Sequence, residues 1–324
     1  MKAKYISCLS AHQAIELFMH IRESWLWLMA ITCIFFWGGN FNAAEAIAGD
    51  VPALTAAAER FVIAAAILLL LRLMRGRGES ILSANQQLWL IALGGLGVFG
   101  FNYAFFLGLQ QTSALNGALI MAASPLVTNL LSVWILGTRM RWISVLGILV
   151  GLAGVSLVIT GNQWQSIQVA KGDLYMLVAC LCMCSFTVLS KKHAAAVPPM
   201  QLTRWTITVG TLMLCVAALL VEQPLKQIPA LSLHTHLLLV YMGVFGTFVA
   251  YAFWLQALQG IGPDRLSLCF NLVPVFTLLI SLVMGHYPNS AQMVGMMLVI
   301  TGVMLGSGLF RRLVAPGVGF QKSN

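Results

Sequence analysis

The residues best equipped for chemistry in this chain are few, and they stand in apolar surroundings. Phe99, Tyr103, Phe106 and Gln110 follow one another at i, i+4, i+7 and i+11, one face of a helix. Adding 148 to these numbers gives Thr247, Tyr251, Trp254 and Leu258. A tyrosine falls at the same place in each stripe, and an aromatic follows it three residues later. Asn102 sits beside the first stripe. Two such walls would grip an amphipathic solute. Lipid-facing or packed aromatics would give the same pattern, but a tyrosine hydroxyl away from water needs a partner. Asn40, Asn102, Tyr103, Phe106, Tyr251, Trp254 and Asn271 are the candidate solute contacts.

Charge inside apolar runs is the costliest signal, about 2.5–3.5 kcal/mol for one group at a helix centre even on mild scales. Arg60 and Arg204 occupy matching places in the two halves of the chain. Each can snorkel to headgroups or serve as a gate or a carboxylate clamp. Glu59 precedes Arg60, but neighbours in sequence do not face each other on a helix. Its expected partner is Asn40 or a water, and it is the better candidate if a proton is coupled. Asn271 lies three residues before Pro274, and Ser124 adjoins Pro125. A proline frees an upstream carbonyl, so Pro125 and Pro274 are expected to kink their helices. Asn271 is read as binding solute and Ser124 as part of a simple kink.

These residues need a scaffold, and composition says which kind. Hydrophobic residues make up 60% of the chain and charged residues only 8%, against roughly 25% charged in soluble domains. Such a chain cannot dress a water-facing surface and reads as an integral membrane protein. The net charge of +9 then belongs to cytoplasmic loops rather than to nucleic-acid binding. The seven cysteines show neither a disulfide framework nor zinc spacing and read as small buried hydrophobes.

A span needs about 20 apolar residues. Ten segments qualify, near 25–47, 53–73, 88–108, 113–136, 142–161, 173–191, 200–221, 236–258, 263–284 and 290–310. Alternate loops hold 14 and 2 of the Lys and Arg residues. This bias predicts that both termini are cytoplasmic, which requires an even number of spans. Residues 1–24 read as a cytoplasmic N-terminal segment, either a short amphipathic surface helix or a stretch before a true start at Met19. Residues 311–324 read as a cytoplasmic tail.

The chain also repeats itself. Leu109 to Pro125 and Leu258 to Pro274 have the same length, and Gly147-x6-Gly154-Val155 recurs as Gly295-x6-Gly302-Val303. Two five-span repeats, 25–161 and 173–310, must be inverted relative to each other because five is odd. Transporters use that arrangement to alternate access to a central site. Walker-type lysine loops and hydrolase-like Ser/His/Asp clusters are missing, so an enzyme or an ATP-driven pump is not expected, and neither is a cofactor or metal.

Trp37-Gly38-Gly39-Asn40-Phe41 resembles the W-G-x-x-F signature of the drug/metabolite transporter superfamily, EamA type. Arg60-Phe61 with Ala64, Ala65 and Ala66 is similar to its R-F-x-x-A-A element. The prolines and the paired Gly-x6-Gly-Val stretches stand where its fourth, ninth, fifth and tenth helices carry them. The resemblance covers residues 25 to 310. It implies ten helices, a cavity among helices three, four, eight and nine, and an exporter of amino acids or small metabolites in the bacterial inner membrane. One departure limits it. Acids that the family often carries after helices four and nine are replaced here, where the text reads Gly137-Thr138-Arg139-Met140 and Gly285-His286-Tyr287.

The expectation is therefore an all-α membrane carrier with a small-molecule solute, the lipid bilayer and candidate protons as partners. Import of a sugar or nucleotide, or a non-transporting structural or sensor role, remain the alternatives at this stage.

Overall fold

Apolar runs of this length can satisfy their backbone in lipid only by forming helices or a closed barrel. The computed structural model describes residues 11–75, 82–138, 142–160, 170–261, 269 and 272–306, and among these there are helices and no strand. The main helices are α1 (Ala11–Ala46), α2 (Ala53–Arg75), α3 (Ala84–Leu109), α4 (Ala114–Leu136), α5 (Trp142–Thr160), α6 (Lys171–His193) and α7 (Pro199–Val221). They continue with α8 (Leu233 to Ile261), α9 (Val273–Val283) and α10 (Ser290–Gly306). Seven are long and apolar enough to cross a membrane: α1 to α4, α6, α7 and α8. The apolar parts of α5, α9 and α10 are shorter, at Trp142–Val158, Val273–Val283 and Ser290–Leu305. Leu69, Leu70, Leu149, Leu220 and Val283 point outward, as a lipid-facing surface requires. Trp134 and Trp142 are exposed at helix ends and Trp25 at the start of the apolar part of α1, the positions of an interfacial aromatic belt.

Helix ends follow from particular residues. Ser83 Oγ accepts from the Gln86 N–H at 3.3 Å while Gln86 Oε1 accepts from the Ser83 N–H at 2.9 Å, a capping box that starts α3 at Ala84 rather than at 88. Ser232 caps α8 in the same way through the Thr235 N–H, so α8 starts at Leu233 rather than 236. Gly137, at φ +67°, ends α4 with the left-handed residue that glycine adopts freely. The N-terminal segment differs from expectation. Its helix runs unbroken from Ala11 into the first apolar stretch instead of forming a separate surface helix.

The helices of the two halves interleave. α1 packs on α8 and α9, α2 on α7, α6 on α3 and α4, and α5 on α10. In the last pair the repeated glycines meet one another. A Cβ on Gly154 would stand 2.8 Å from the Gly295 carbonyl oxygen, and one on Gly302 would stand 2.6 Å from the Gly147 carbonyl oxygen. Small residues are what let membrane helices approach this closely.

Polar side chains gather at one end of the bundle. Gln110 donates to the Val51 carbonyl at 3.0 Å, and Thr112 donates to Asp173 at 2.5 Å. Thr235 donates to Asp50 at 2.6 Å, and Glu45 accepts the Ala114 N–H at 3.1 Å. Glu222 accepts the Leu54 and Thr55 N–H groups at 3.1 and 2.7 Å, capping α2 from a remote helix end. Every acid whose side chain is described sits in this belt or, in the case of Glu59, beside it.

Candidate functional site

The site is built on a fault in two helices. In α3 the turn Gly95–Gly100 is π-helical, and in α8 the turn Val244–Val249 is as well. Single π turns recur at functional positions because they turn side chains and carbonyls out of the regular ladder. A short polar residue goes with each turn: Asn102, two residues past the first, and Thr247 within the second. The Asn102 Nδ2 donates back to the Val98 carbonyl at 2.8 Å, which turns its Oδ1 away from its own helix. Thr247 Oγ1 donates to the Met242 carbonyl five residues back at 2.9 Å, leaving its lone pair free to accept.

Both acceptors converge on Arg60. Its Nε–H donates to Thr247 Oγ1 at 3.0 Å and its Nη1–H to Asn102 Oδ1 at 3.3 Å. The residue is 6% exposed, so the guanidinium turns into the protein instead of snorkelling to the surface. The Phe61 ring lies 5.3 Å from its Cζ. Among the described residues no carboxylate pairs with it. A guanidinium carries five N–H donors, and neutral side chains from opposite halves of the chain take two of them here.

Asn40 reaches the same π turn from α1. Its Nδ2 donates to the Gly246 carbonyl at 3.2 Å, while its Oδ1 is buried without a partner among the described residues. Gly246 is glycine because a Cβ there would fall 1.9 Å from that Oδ1. The neighbouring glycines have similar duties. A Cβ on Gly38 would strike Phe276, and one on Gly39 would strike the Tyr241 hydroxyl, which donates to the Phe36 carbonyl. Asn42 ties α1 to α9 by donating to the Thr277 carbonyl at 3.1 Å and accepting from Ser281 at 2.6 Å. The short motif in α1 is thus the seam along which the first half lies on the second.

The aromatic stripes separate. Phe99 and Tyr103 stay together, ring centroids 6.2 Å apart, and both are half-buried. Phe106 turns into the core, 2% exposed, against the edge of Phe105. Tyr251 is half-buried, its hydroxyl 3.1 Å from Thr203 Oγ1, and Trp254 lies 5.2 Å from Trp37. Gln110 is spent on the Val51 carbonyl. A groove of about 430 Å³ lined by Phe99, Leu212, Met213, Val216, Ala217 and Leu220 opens on the side of α3 and α7.

Other expected residues fall as follows. Glu59 meets not Asn40 but His236: the Nδ1–Oε1 distance is 2.9 Å. Arg204 is half-buried on α7 and is not drawn into the Arg60 cluster. Pro125 follows a one-residue break in α4 at Ala123. Pro274 lies in the first turn of α9, where a missing N–H costs nothing. Asn271 lies outside the described residues. Asp173, His236 and Glu222 escaped notice because their partners lie far away in sequence. The π turns did leave a trace. Gly97-Val98-Phe99-Gly100 recurs as Gly243-Val244-Phe245-Gly246 at an offset of 146, whereas Tyr103 and Tyr251 differ by 148, so two residues are inserted at the second turn.

Comparison with known proteins agrees with this architecture. The profile of the EamA-like transporter family matches residues 24–160 and again residues 170–308. The uncharacterized transporter YyaM of Bacillus subtilis is 35% identical over 292 residues, covering 88% of this chain and 94% of its own. The aromatic amino acid exporter YddG of Ancylobacter novellus is 25% identical over 289 residues, covering 88% and 98%. A crystal structure at 24% identity superposes with a TM-score of 0.62 over 90% of this chain and 99% of the other, a likeness of fold.

Proposed function

Because this chain belongs to the EamA-like transporter family, with that domain present twice, we propose that it is a secondary carrier exporting small amphipathic solutes such as amino acids. It works by alternating access across the bacterial inner membrane, with ten spans in two inverted halves and both termini in the cytoplasm. The reading rests above all on Arg60. A buried guanidinium held by neutral acceptors from both halves is a costly arrangement unless an anion shares it. Its remaining donors suit the planar, two-oxygen geometry of a carboxylate.

The rest of the solute meets Tyr103, Tyr251 and Trp254, which flank the same two π turns and are half-buried. Asn40 offers an unused acceptor beside the second turn. Asn102 and Thr247 hold Arg60 in place and sense its load from opposite halves. The named activity of the Ancylobacter relative, aromatic amino acid export, fits such a wall. The belt of acids then faces outward and the arginine-rich loops inward, as the charge bias requires.

The test is flux. Purified protein in liposomes preloaded with a panel of labelled L-amino acids should release at least one of them faster than protein-free liposomes do. If no member of the panel moves faster, the solute class is wrong.

A further inference from the structure

Glu59 and His236 come from different halves of the chain, 177 residues apart, and meet at 2.9 Å beside the acidic end of the bundle. The other ring nitrogen of His236, Nε2, lies 3.2 Å from the Ile228 carbonyl oxygen. A carbonyl only accepts, so Nε2 carries hydrogen. Nδ1 then has two choices. It donates its own hydrogen to a Glu59 carboxylate, or it accepts one from a Glu59 carboxylic acid. Both arrangements contain the same protons and differ only in where one of them sits between Nδ1 and Oε1. With that proton gone, a nitrogen lone pair would face a carboxylate oxygen at hydrogen-bond distance.

The surroundings grade inward. The His236 side chain is 33% exposed and the Glu59 side chain 16%, while Arg60, the next residue, is buried. The second Glu59 oxygen, Oε2, is buried with no partner among the described residues. Other titratable groups nearby are engaged elsewhere. Asp50 is bound by Thr235, Glu222 caps α2, and Lys226 donates to Gln223 at 3.1 Å. Tyr241, farther along α8, donates to Phe36. His234 sits two residues before His236 on α8, Tyr103 lies on the part of α3 that packs against α2, and Arg204 lies toward the other end of α7.

We propose that Glu59 and His236 form a one-proton binding site, loaded through His236 from the acidic end, and that its occupancy drives counter-transport through α2. Loaded, the pair is neutral overall and bridges the halves. Unloaded, it carries one negative charge, and the contact between α2 and α8 opens. Proton and solute sites are consecutive on α2, so movement of Glu59 moves Arg60 and its hold on Thr247 of α8. The coupling clause rests on the carrier reading above; the proton site itself does not.

Two measurements on the full chain test this separately. The first needs no solute: histidine-selective 15N NMR in detergent micelles, with His236 identified as the resonance lost in His236→Gln. The 15N shift of its Nδ1, which the proton shared with the Glu59 carboxylate sets, should move in Glu59→Gln. An unchanged Nδ1 shift overturns the site. The second compares L-phenylalanine flux in liposomes with and without an inward proton gradient at zero membrane potential. The ratio should be severalfold in the wild type and fall to one in Glu59→Gln and in His236→Gln. A wild-type ratio of one, or a ratio kept by both variants, overturns the coupling. Absence of any flux counts against the carrier reading and leaves the NMR result to decide the site.

Discussion

Gly154 on α5 and Gly295 on α10 lie backbone to backbone. A Cβ on the first would stand 2.8 Å from the carbonyl oxygen of the second, and a Cβ on the second 2.9 Å from the carbonyl oxygen of the first. Gly302 approaches Gly147 and Gly151 in turn, so the two helices run antiparallel with matched residues exchanging places. Reciprocal contact of this kind is the mark of a two-fold relation, here between two halves of one chain.

Filling that seam should loosen the whole molecule. Gly154→Val and Gly302→Val each force atoms into occupied space and should cost about 1–3 kcal/mol. Thermal unfolding in detergent should show both midpoints lowered, while Gly49→Ala, where a Cβ meets nothing within 4 Å, should leave the midpoint unchanged.

Gly246→Ala should act differently. The new methyl would collide with Asn40 Oδ1, and the short asparagine side chain has to leave its place beside the π turn. Solute flux should drop at least tenfold, equivalent to about 1.4 kcal/mol, with a smaller fall in thermal midpoint than for Gly154→Val. A flux equal to wild type would remove Asn40 from the site.

Glu222 tests the acidic belt. It accepts three hydrogen bonds at the start of α2, from two backbone N–H groups and the Thr55 hydroxyl. Glu222→Ala should cost about 1–2 kcal/mol as a lost helix cap, read as a lowered midpoint. Glu222→Gln, which keeps one acceptor, should fall between the two.

Much of this was legible in the residues, and the reasons are local. Apolar length marks a span, and the doubled Gly-x6-Gly-Val marks a doubled helix, whereas the capping serines Ser83 and Ser232 start their helices several residues before the apolar run alone indicates. What stayed hidden depends on contacts across the fold. His236 carries no signal of its own until α8 brings it to Glu59. Phe106 seems to continue a stripe because 3.6-residue periodicity is assumed, yet it packs on Phe105 in the core while Phe99 and Tyr103 remain half open. The π turns break that periodicity, and their only trace is the change of offset from 146 to 148 between the repeats. Arg60 was visible as a buried charge, but its neutral partners, Asn102 and Thr247, were not.

Removing the aromatic walls should separate fold from function. Tyr103→Ala and Tyr251→Ala should each abolish solute flux while leaving expression and membrane insertion intact, as measured by fluorescence size-exclusion chromatography. Normal flux in both would mean that the solute passes elsewhere.

The most direct measurement sets Arg60 against the group it is proposed to hold. Equilibrium binding of L-phenylalanine and of phenethylamine, which lacks the carboxylate, should be compared for the wild type, Arg60→Lys and Arg60→Gln in detergent. The wild type should prefer the amino acid, Arg60→Lys should weaken that preference, and Arg60→Gln should abolish it. Equal preference in the wild type and Arg60→Gln would contradict a carboxylate clamp at the meeting point of the two halves.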